Sequence, residues 1–189
     1  MANKDAAFGF RPVRTLSGGE IRTEEYAIAS TYTTAAIYTG QVVEGVAGGG
    51  IEAAAAGDTQ QAGVFGGVFY TDPTTSKPTY SAYWPTSTAA TDAIASVYAN
   101  PEMVFEAQHN GTGTAAMNHS AMDFAGVAGS TTTGISTSEL ATSTSGTGAG
   151  LKQIGISKDP DNSDESADNT NAYCIFSTGE HVYKLITAV

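Results

Sequence analysis

The chain has 189 residues, enough for one domain with a buried core, and 8 basic against 19 acidic residues give a formal net charge of -11. Because so acidic a chain repels phosphate groups, direct nucleic-acid binding is excluded from the expected functions. No stretch approaches the roughly 18 apolar residues that cross a bilayer, and the first residues lack the apolar region of a secretory signal, so no membrane association is expected. The single cysteine, Cys174, excludes an intrachain disulfide, and its apolar neighbours favour a buried thiol.

Charged and apolar residues are unevenly distributed along the chain. Residues 1–22 hold four basic residues against two acidic ones, a balance of +2 that leaves -13 for the rest of the chain. Only about one residue in six is Ile, Leu, Val or Phe, which is a low share for a folded domain. So thin a core favours burial of further surface between subunits, and we expect an oligomer.

Short stretches rich in Val, Ile, Tyr, Phe and Thr, separated by Gly and Pro, predict β-strands along most of the chain. The predicted strands occupy residues 20–30, 41–46, 61–72, 79–85, 93–98 and 103–107, and further strands begin at Leu151 and Ala172. Gly66 and Gly67 indicate a bulge or a sharp bend in the third of these strands. The strands 93–98 and 103–107 lie close enough in sequence to predict a hairpin.

These elements predict a mainly β fold, a small antiparallel β-barrel or sandwich, because many short strands follow one another without an alternating β-α rhythm. We expect an extended N-terminal arm in residues 1–19 and the barrel or sandwich core in residues 20–110. Residues 111–149, rich in Ser, Thr and Gly, are predicted to form a weakly structured insertion. Residues 150–189 are predicted to supply C-terminal strands that complete the core.

Motifs of common enzymes are absent from the sequence, which contains no G-x-S-x-G, no H-E-x-x-H and no G-x-x-x-x-G-K-[ST]. The "GTGAG" of residues 146–150 has part of the spacing of a dinucleotide-binding loop, but it lacks the third glycine and precedes a predicted strand instead of a helix. It is interpreted as a flexible linker. We expect no enzymatic activity and no cofactor.

Two polar clusters have some of the residue types and spacing that metal or catalytic sites use. His119 precedes Asp123 by four residues, a spacing that would place both on one helical turn, although a single pair is more typical of a polar surface. The acidic residues of 159–168 resemble half of a calcium loop, because hard cations bind several carboxylate oxygens. Asp164, however, stands where an EF-hand needs glycine, and Thr170 where it needs glutamate. A solvated acidic loop is expected, and no metal site is predicted.

Several short motifs, taken in their order and spacing, resemble a family of bacteriophage proteins. The segments are "AAFGFRPVRTLSGG", "IRTEEYAIAS", "GQVVEGV", "AAAAGDTQQAGVFGGVFYTD", "YSAYWP", "TDAIASVYANPEMVFEAQ" and "LKQIGISKDPDN". Together they are similar to head decoration proteins, also called capsid cement proteins, of tailed double-stranded DNA phages. The resemblance covers about residues 7–108 and 151–186, and the "STGEHVYKL" ending departs from the family's pattern.

The resemblance implies a β-rich structural protein on the outer surface of the phage capsid, made in the host cytoplasm and carried on the virion. A protein of this kind binds the major capsid protein and stabilises the head by bridging neighbouring capsid subunits. It also implies a homo-oligomer, in the family commonly a trimer.

Residues 4–14, "KDAAFGFRPVR", are the predicted capsid-binding arm. In this hypothesis Phe8 and Phe10 fill apolar pockets of the capsid while Arg11 and Arg14 pair with capsid carboxylates, since aromatic and arginine side chains dominate interface energies. Pro12 limits helix formation in the arm. The alternative is that Phe8 and Phe10 cover the open end of the chain's own barrel.

Two other functions are compatible with the sequence. A tail- or fibre-associated virion protein, or a carbohydrate-binding adhesin, would present the Ser/Thr/Gly-rich region as a variable surface. Trp84, with Tyr80 on the same predicted strand face and Tyr83 on the other, could stack on sugar rings, although core packing is the more usual use of such residues. A small hydrolase would need His119 or His181 beside a carboxylate and a nucleophile.

Overall fold

A computed structural model describes residues 2–30, 32, 35–126, 128–144, 149–177 and 179–184. The fold is mainly β, as predicted, and includes a small closed barrel. The strands, in chain order, are β1 (Arg11–Thr15), β2 (Glu24–Ile28), β3 (Ile37–Tyr38), β4 (Val42–Gly45), β5 (Gly50–Ala53), β6 (Gln61–Thr71), β7 (Pro78–Ser81), β8 (Tyr83–Trp84), β9 (Ile94–Tyr98), β10 (Met103–Gln108), β11 (Ala121–Ala125), β12 (Glu139–Thr144), β13 (Leu151–Ile156) and β14 (Asn171–Phe176). A 3-10 helix, Ala115–Met117, precedes β11.

Five strands form the barrel. They lie side by side in the order β4, β5, β2, β9 and β6, and β6 pairs again with β4 to close the ring. The β2–β5 pair is parallel and the others are antiparallel. The β6–β9 register shifts between Phe65 and Gly67, which confirms the predicted irregularity at the glycine pair and bends the longest strand around the ring. Strand β7 pairs with β6 and extends the sheet beyond the barrel.

The second sheet has six strands in the order β1, β10, β14, β13, β11 and β12, all antiparallel. Every residue of β10 is buried, which fits its position between β1 and β14. The sheet curls, because Leu140 of β12 forms a bridge with His109 directly after β10. Strand β1 is left at the edge of the sheet.

Two apolar cores hold these sheets together. One core fills the barrel and contains Phe65, Val68 and Trp84. The other joins the barrel to the second sheet, because it combines barrel residues such as Val64 with Phe105 and Phe176 of the second sheet. The small β3–β8 sheet lies beside the barrel core, with Trp84 opposite Ile37.

The region 111–149, predicted to be weakly structured, supplies two strands of the second sheet, β11 and β12. Met122, Phe124 and Leu140 are fully buried in the core shared with the barrel. The prediction was wrong here because small residues around three apolar side chains give a weak propensity signal, while pairing with β13 and burial decide the structure. Residues 145–148 lie outside the described residues, so the predicted linker there is described only at Ala149 and Gly150.

Two local predictions are also corrected. Strands β9 and β10 do not form a hairpin, because the turn at Asn100 passes the chain from the barrel to the second sheet. The segment 79–85 is not one strand but two, β7 and β8, so Tyr80 and Trp84 do not share a face. Tyr80 is 66% exposed while Trp84 is 2% exposed.

Candidate interaction surface

The arm was predicted to comprise residues 1–19. Its beginning, at Asn3, contacts the chain's own acidic loop, residues 159–168. The Asn3 side-chain amide donates to the backbone oxygens of Asp164 and Asp168, each at 2.9 Å, and its oxygen accepts the Asp164 N–H at 3.1 Å. Gln108 at the end of β10 donates to the Lys4 carbonyl at 2.8 Å and accepts the Ala6 N–H at 3.0 Å. This part of the arm therefore lies along its own domain.

Phe10 lies in the core shared by the two sheets and is 1% exposed. Its N–H donates to the Gly40 carbonyl at 2.8 Å. The preceding Gly9 has φ +73°, and a Cβ there would lie 2.7 Å from the Gly40 oxygen, so this close approach requires glycine. Phe10 is therefore not available to fill a capsid pocket, and its position corresponds to the alternative in which it covers the chain's own β-structure.

Arg11 forms an ion pair with Glu106 of β10, whose side chain is almost fully buried. The other Glu106 oxygen accepts the Ser157 hydroxyl at 2.6 Å. The Arg11 guanidinium carbon also lies 4.8 Å from the centre of the half-buried Phe8 ring, within cation–π range. Arg11 and Phe8 are thus held against the chain itself, and removing Arg11 would leave a buried carboxylate unpaired.

The exposed part of the N-terminal region begins at β1 and continues into the loop that leads to β2. Arg14 is exposed, and the apolar side chains of Val13, Leu16 and Ile21 are exposed by 39%, 50% and 41%. Arg22 contacts Glu20 at 3.1 Å, and both are exposed. We call the exposed side chains of residues 13–22 the basic strip. Arg14 was predicted from the sequence, whereas the apolar members Val13, Leu16 and Ile21 were missed, although each lies within two residues of Arg14 or Arg22.

Strand β1 carries features that block the addition of a further strand at its free edge. Pro12 has no N–H to donate, and the β1–β10 register shifts between Pro12 and Arg14. Charged side chains on an edge strand have the same effect. A partner would therefore contact the basic strip through side chains more readily than by extending the sheet.

The carboxylates of the predicted acidic loop make local contacts. Asp164 accepts the Ser166 hydroxyl at 2.6 Å and the Ser166 N–H at 3.0 Å, and these two hydrogen bonds lower the pKa of Asp164. Asp159 accepts the Asp161 N–H at 3.0 Å, and Asp161 pairs with Lys4. Within the described parts of the chain, no group of three or more His, Cys, Asp or Glu side chains could hold a metal ion. The loop's carbonyl oxygens converge on the Asn3 amide instead.

The histidines occupy three different environments. His119 is exposed at φ +69° in the turn before β11, so it does not share a helical turn with Asp123. His109 is buried and contacts the Gln153 side-chain oxygen at 2.9 Å, and burial lowers its pKa. His181 is buried beside Phe176, with ring centres 5.0 Å apart, and burial lowers its pKa to about 4. No hydrogen bond among the described residues joins a histidine to a carboxylate.

A carboxylate cluster lies on the barrel at the β4–β5 pair. Glu44 stands directly opposite Glu52, an arrangement of like charges that destabilises a strand pair. Burial, together with nearby Asp58 and Glu52, raises the pKa of Glu44 to about 7. Asp58 also closes the turn after β5, because its carboxylate accepts the Ala55 N–H at 2.6 Å. Glu44 is therefore partly protonated at neutral pH.

The remaining predicted residues take these positions. Trp84 packs edge-on against Tyr70 at 5.3 Å between ring centres, and Tyr83 stacks on Tyr38 at 5.6 Å. Of the three aromatic residues considered for sugar stacking, only Tyr80 is largely exposed. Cys174 is fully buried, and burial raises the pKa of its thiol.

Comparisons with family models, with curated proteins and with solved structures find no match for this chain. Over the described residues, no helix combines the length and the apolar character needed to cross a membrane.

Proposed function

We propose that this protein is a structural virion protein that binds the outer surface of a phage capsid and stabilises the head by bridging neighbouring major capsid subunits. It acts as a homo-oligomer, which we propose to be a trimer, and it has no catalytic role. The observation that carries the proposal is the basic strip, which combines exposed Arg14 with exposed Val13 and Leu16. The rest of the chain carries a strongly negative net charge. The partner, the major capsid protein, is inferred from the resemblance of the sequence motifs to head decoration proteins.

The composition of the basic strip suits a protein partner with an acidic surface. Arginine pairs with carboxylates in two-point hydrogen bonds, and neighbouring apolar side chains exclude water around such pairs. The strip starts on β1, which is fixed to β10 and anchored by buried Phe10, so little conformational entropy is lost when it binds. Several copies in one oligomer would contact several capsid subunits at once, which multiplies a weak individual contact.

Carbohydrate binding has less support than capsid binding. Trp84 is buried in the barrel core, and Tyr83 is half-buried against Tyr38. Trp84 therefore offers no ring face to a sugar and Tyr83 has one face covered, which leaves exposed Tyr80 alone among the three candidates, without a second open ring beside it from this group. A tail- or fibre-associated location would still use the basic strip as a protein contact, so the choice between locations depends on which particle component binds.

Cosedimentation with phage heads that lack this protein tests the proposal. The wild-type chain should pellet with the heads and raise the temperature at which they rupture. Replacing Arg14 and Leu16 by Glu should weaken binding by at least about tenfold, because an Arg contact at the centre of an interface is commonly worth 1–2 kcal/mol or more. Lys77→Glu is the matched control for the charge reversal at Arg14, since Lys77 is exposed on the loop before β7.

The outcomes separate the alternatives. Saturable binding that falls in the Arg14/Leu16 variant but not in Lys77→Glu supports capsid docking through the strip. Binding to isolated tails but not to heads would assign the protein to the tail instead of the capsid. A wild-type chain that binds neither component would overturn the proposed function.

A further inference from the structure

The outer surface of the barrel carries an apolar row that crosses four adjacent strands. Tyr80 of β7 stands opposite Phe69 of β6, Phe69 stands opposite Ile94 of β9, and Ile94 stands opposite Ala27 of β2. Phe69 is 52% exposed, Tyr80 66% and Ile94 38%, and Ala27 is exposed. At a strand spacing of about 4.8 Å the row is roughly 15 Å long. Single exposed apolar residues are common, but a continuous row is not.

The aromatic part of this row is held in place. The Tyr80 hydroxyl lies 3.4 Å from the Gly66 carbonyl, and a Cβ on Gly67 would lie 2.4 Å from that hydroxyl. The Tyr80 ring therefore crosses the glycine pair of β6, which leaves room for it. A fixed aromatic side chain loses little entropy on binding, which is a property of residues at the centre of interfaces.

The charge distribution identifies the partner. Strands β6, β7 and β9, which supply Phe69, Tyr80 and Ile94, contain no charged residue, although 14% of the chain is charged. Strand β2, which supplies Ala27, places exposed Glu25 opposite Ser96 at the margin of the row. A basic or acidic partner would be recognised by opposite charge, as the basic strip can do. A second copy of this chain also carries -11, so two copies that meet through the same surface repel each other least where that surface is uncharged at its centre.

We propose that the row of Ala27, Phe69, Tyr80 and Ile94 is the surface through which copies of this chain associate. The inference specifies the self-association contained in the proposed function and does not depend on capsid binding. The row forms the centre of the contact, and flanking polar residues such as Ser96 and Thr71 form its rim, because a stable interface buries about 800 Å² per partner. Association through the edge of β7 is disfavoured, since that strand begins with Pro78.

The test measures molar mass by light scattering and sedimentation, without phage heads, across a wide range of protein concentration. The wild-type chain should have a mass of at least two chains, each of 19.3 kDa. Phe69→Glu should shift it to the single-chain mass, and Phe69→Thr, which keeps a good strand former, should weaken association in the same direction. Leu16→Glu is the matched control: it makes the same charge change in the basic strip and should leave the mass unchanged.

Salt gives a second readout that distinguishes the two surfaces. Added salt screens the repulsion between like-charged copies, so it should strengthen association, whereas it should weaken head binding through Arg14. A wild-type chain that stays single at high concentration and high salt would overturn the inference, as would a Phe69→Glu variant that keeps the wild-type mass. Loss of head binding with unchanged mass in Phe69→Glu would also overturn it, by assigning the row to the capsid. Failure of head binding alone would leave the association intact.

Discussion

His181 gives the protein an acid-sensitive contact, and replacing it by Asn should remove that sensitivity. The ring is fully buried, lies against Phe176 and accepts the Tyr183 N–H on Nδ1 at 3.2 Å. Burial, with a smaller contribution from Lys184, lowers its pKa from 6.5 to about 4. Because the pKa is lower in the folded state than in the unfolded state, the stabilisation is complete above pH 6.5 and is lost as the pH falls toward 4.

The size of the effect follows from the shift in pKa. One pKa unit corresponds to 1.36 kcal/mol, so full protonation of the folded state costs about 3 kcal/mol. Between pH 7 and pH 5 the cost is about 2 kcal/mol, because pH 5 is still above the folded-state pKa. Asn keeps an acceptor for the Tyr183 N–H but does not titrate. The free energy of unfolding of the wild-type chain should therefore fall by about 2 kcal/mol more than that of His181→Asn over this range.

Urea unfolding of both chains at pH 7, 6 and 5 is the assay, and the difference between the chains removes the contribution of all other titrating groups. His119→Asn is the control, because His119 is exposed and Asn tolerates its positive φ. That variant should follow the wild-type pH dependence. Parallel pH profiles for the wild type and His181→Asn would refute the assignment of a buried, neutral His181.

Three further changes should have distinct effects. Phe10→Ala should lower the free energy of unfolding by about 3–5 kcal/mol in urea titrations, since it removes a buried ring from the core between the sheets, and a loss under 1 kcal/mol would show that Phe10 is not buried. Asn3→Ala should speed hydrogen exchange of the amides in residues 164–170 and leave those of β6 unchanged, whereas equal rates would place Asn3 away from the loop. Glu44→Gln should be more stable than the wild type at pH 8 and about equally stable at pH 4, because a carboxyl whose pKa is raised from 4.5 to about 7 by folding makes the wild-type fold lose stability as the pH rises between those two values; equal stability at pH 8 would contradict this.

The barrel was the part of the fold most accessible to prediction. Residues 61–72 and 93–98 coincide closely with β6 and β9, because Val, Phe and Tyr are concentrated there and the glycine pair marks the bend. The same local signals do not say which strands pair. The predicted hairpin failed for this reason: β9 and β10 are neighbours in sequence, yet β9 pairs within the barrel while β10 lies buried between β1 and β14 in the second sheet.

The interaction surface was only partly predictable. An arginine and a phenylalanine near one another suggest an interface in any sequence, but whether Phe10 is buried depends on Gly40, thirty residues away. The same holds for Phe69 and Ile94, which fell in correctly predicted strands. Their exposure follows from which face of β6 and β9 points into the barrel, and that is fixed by ring closure instead of by their own hydrophobicity.

The order of strands in the second sheet has a consequence during synthesis of the protein. All five barrel strands lie between Glu24 and Tyr98, so the ring can close while the chain is still being translated. Strand β1 is made before the barrel, yet its partner β10 follows the barrel and the neighbouring β14 ends only at Phe176. Strand β1 therefore has no strand to pair with until Gln108 has been made, and its sheet is incomplete until Phe176 follows. The nascent chain, more than the finished protein, is the form in which this segment is exposed to chaperones or to mispairing.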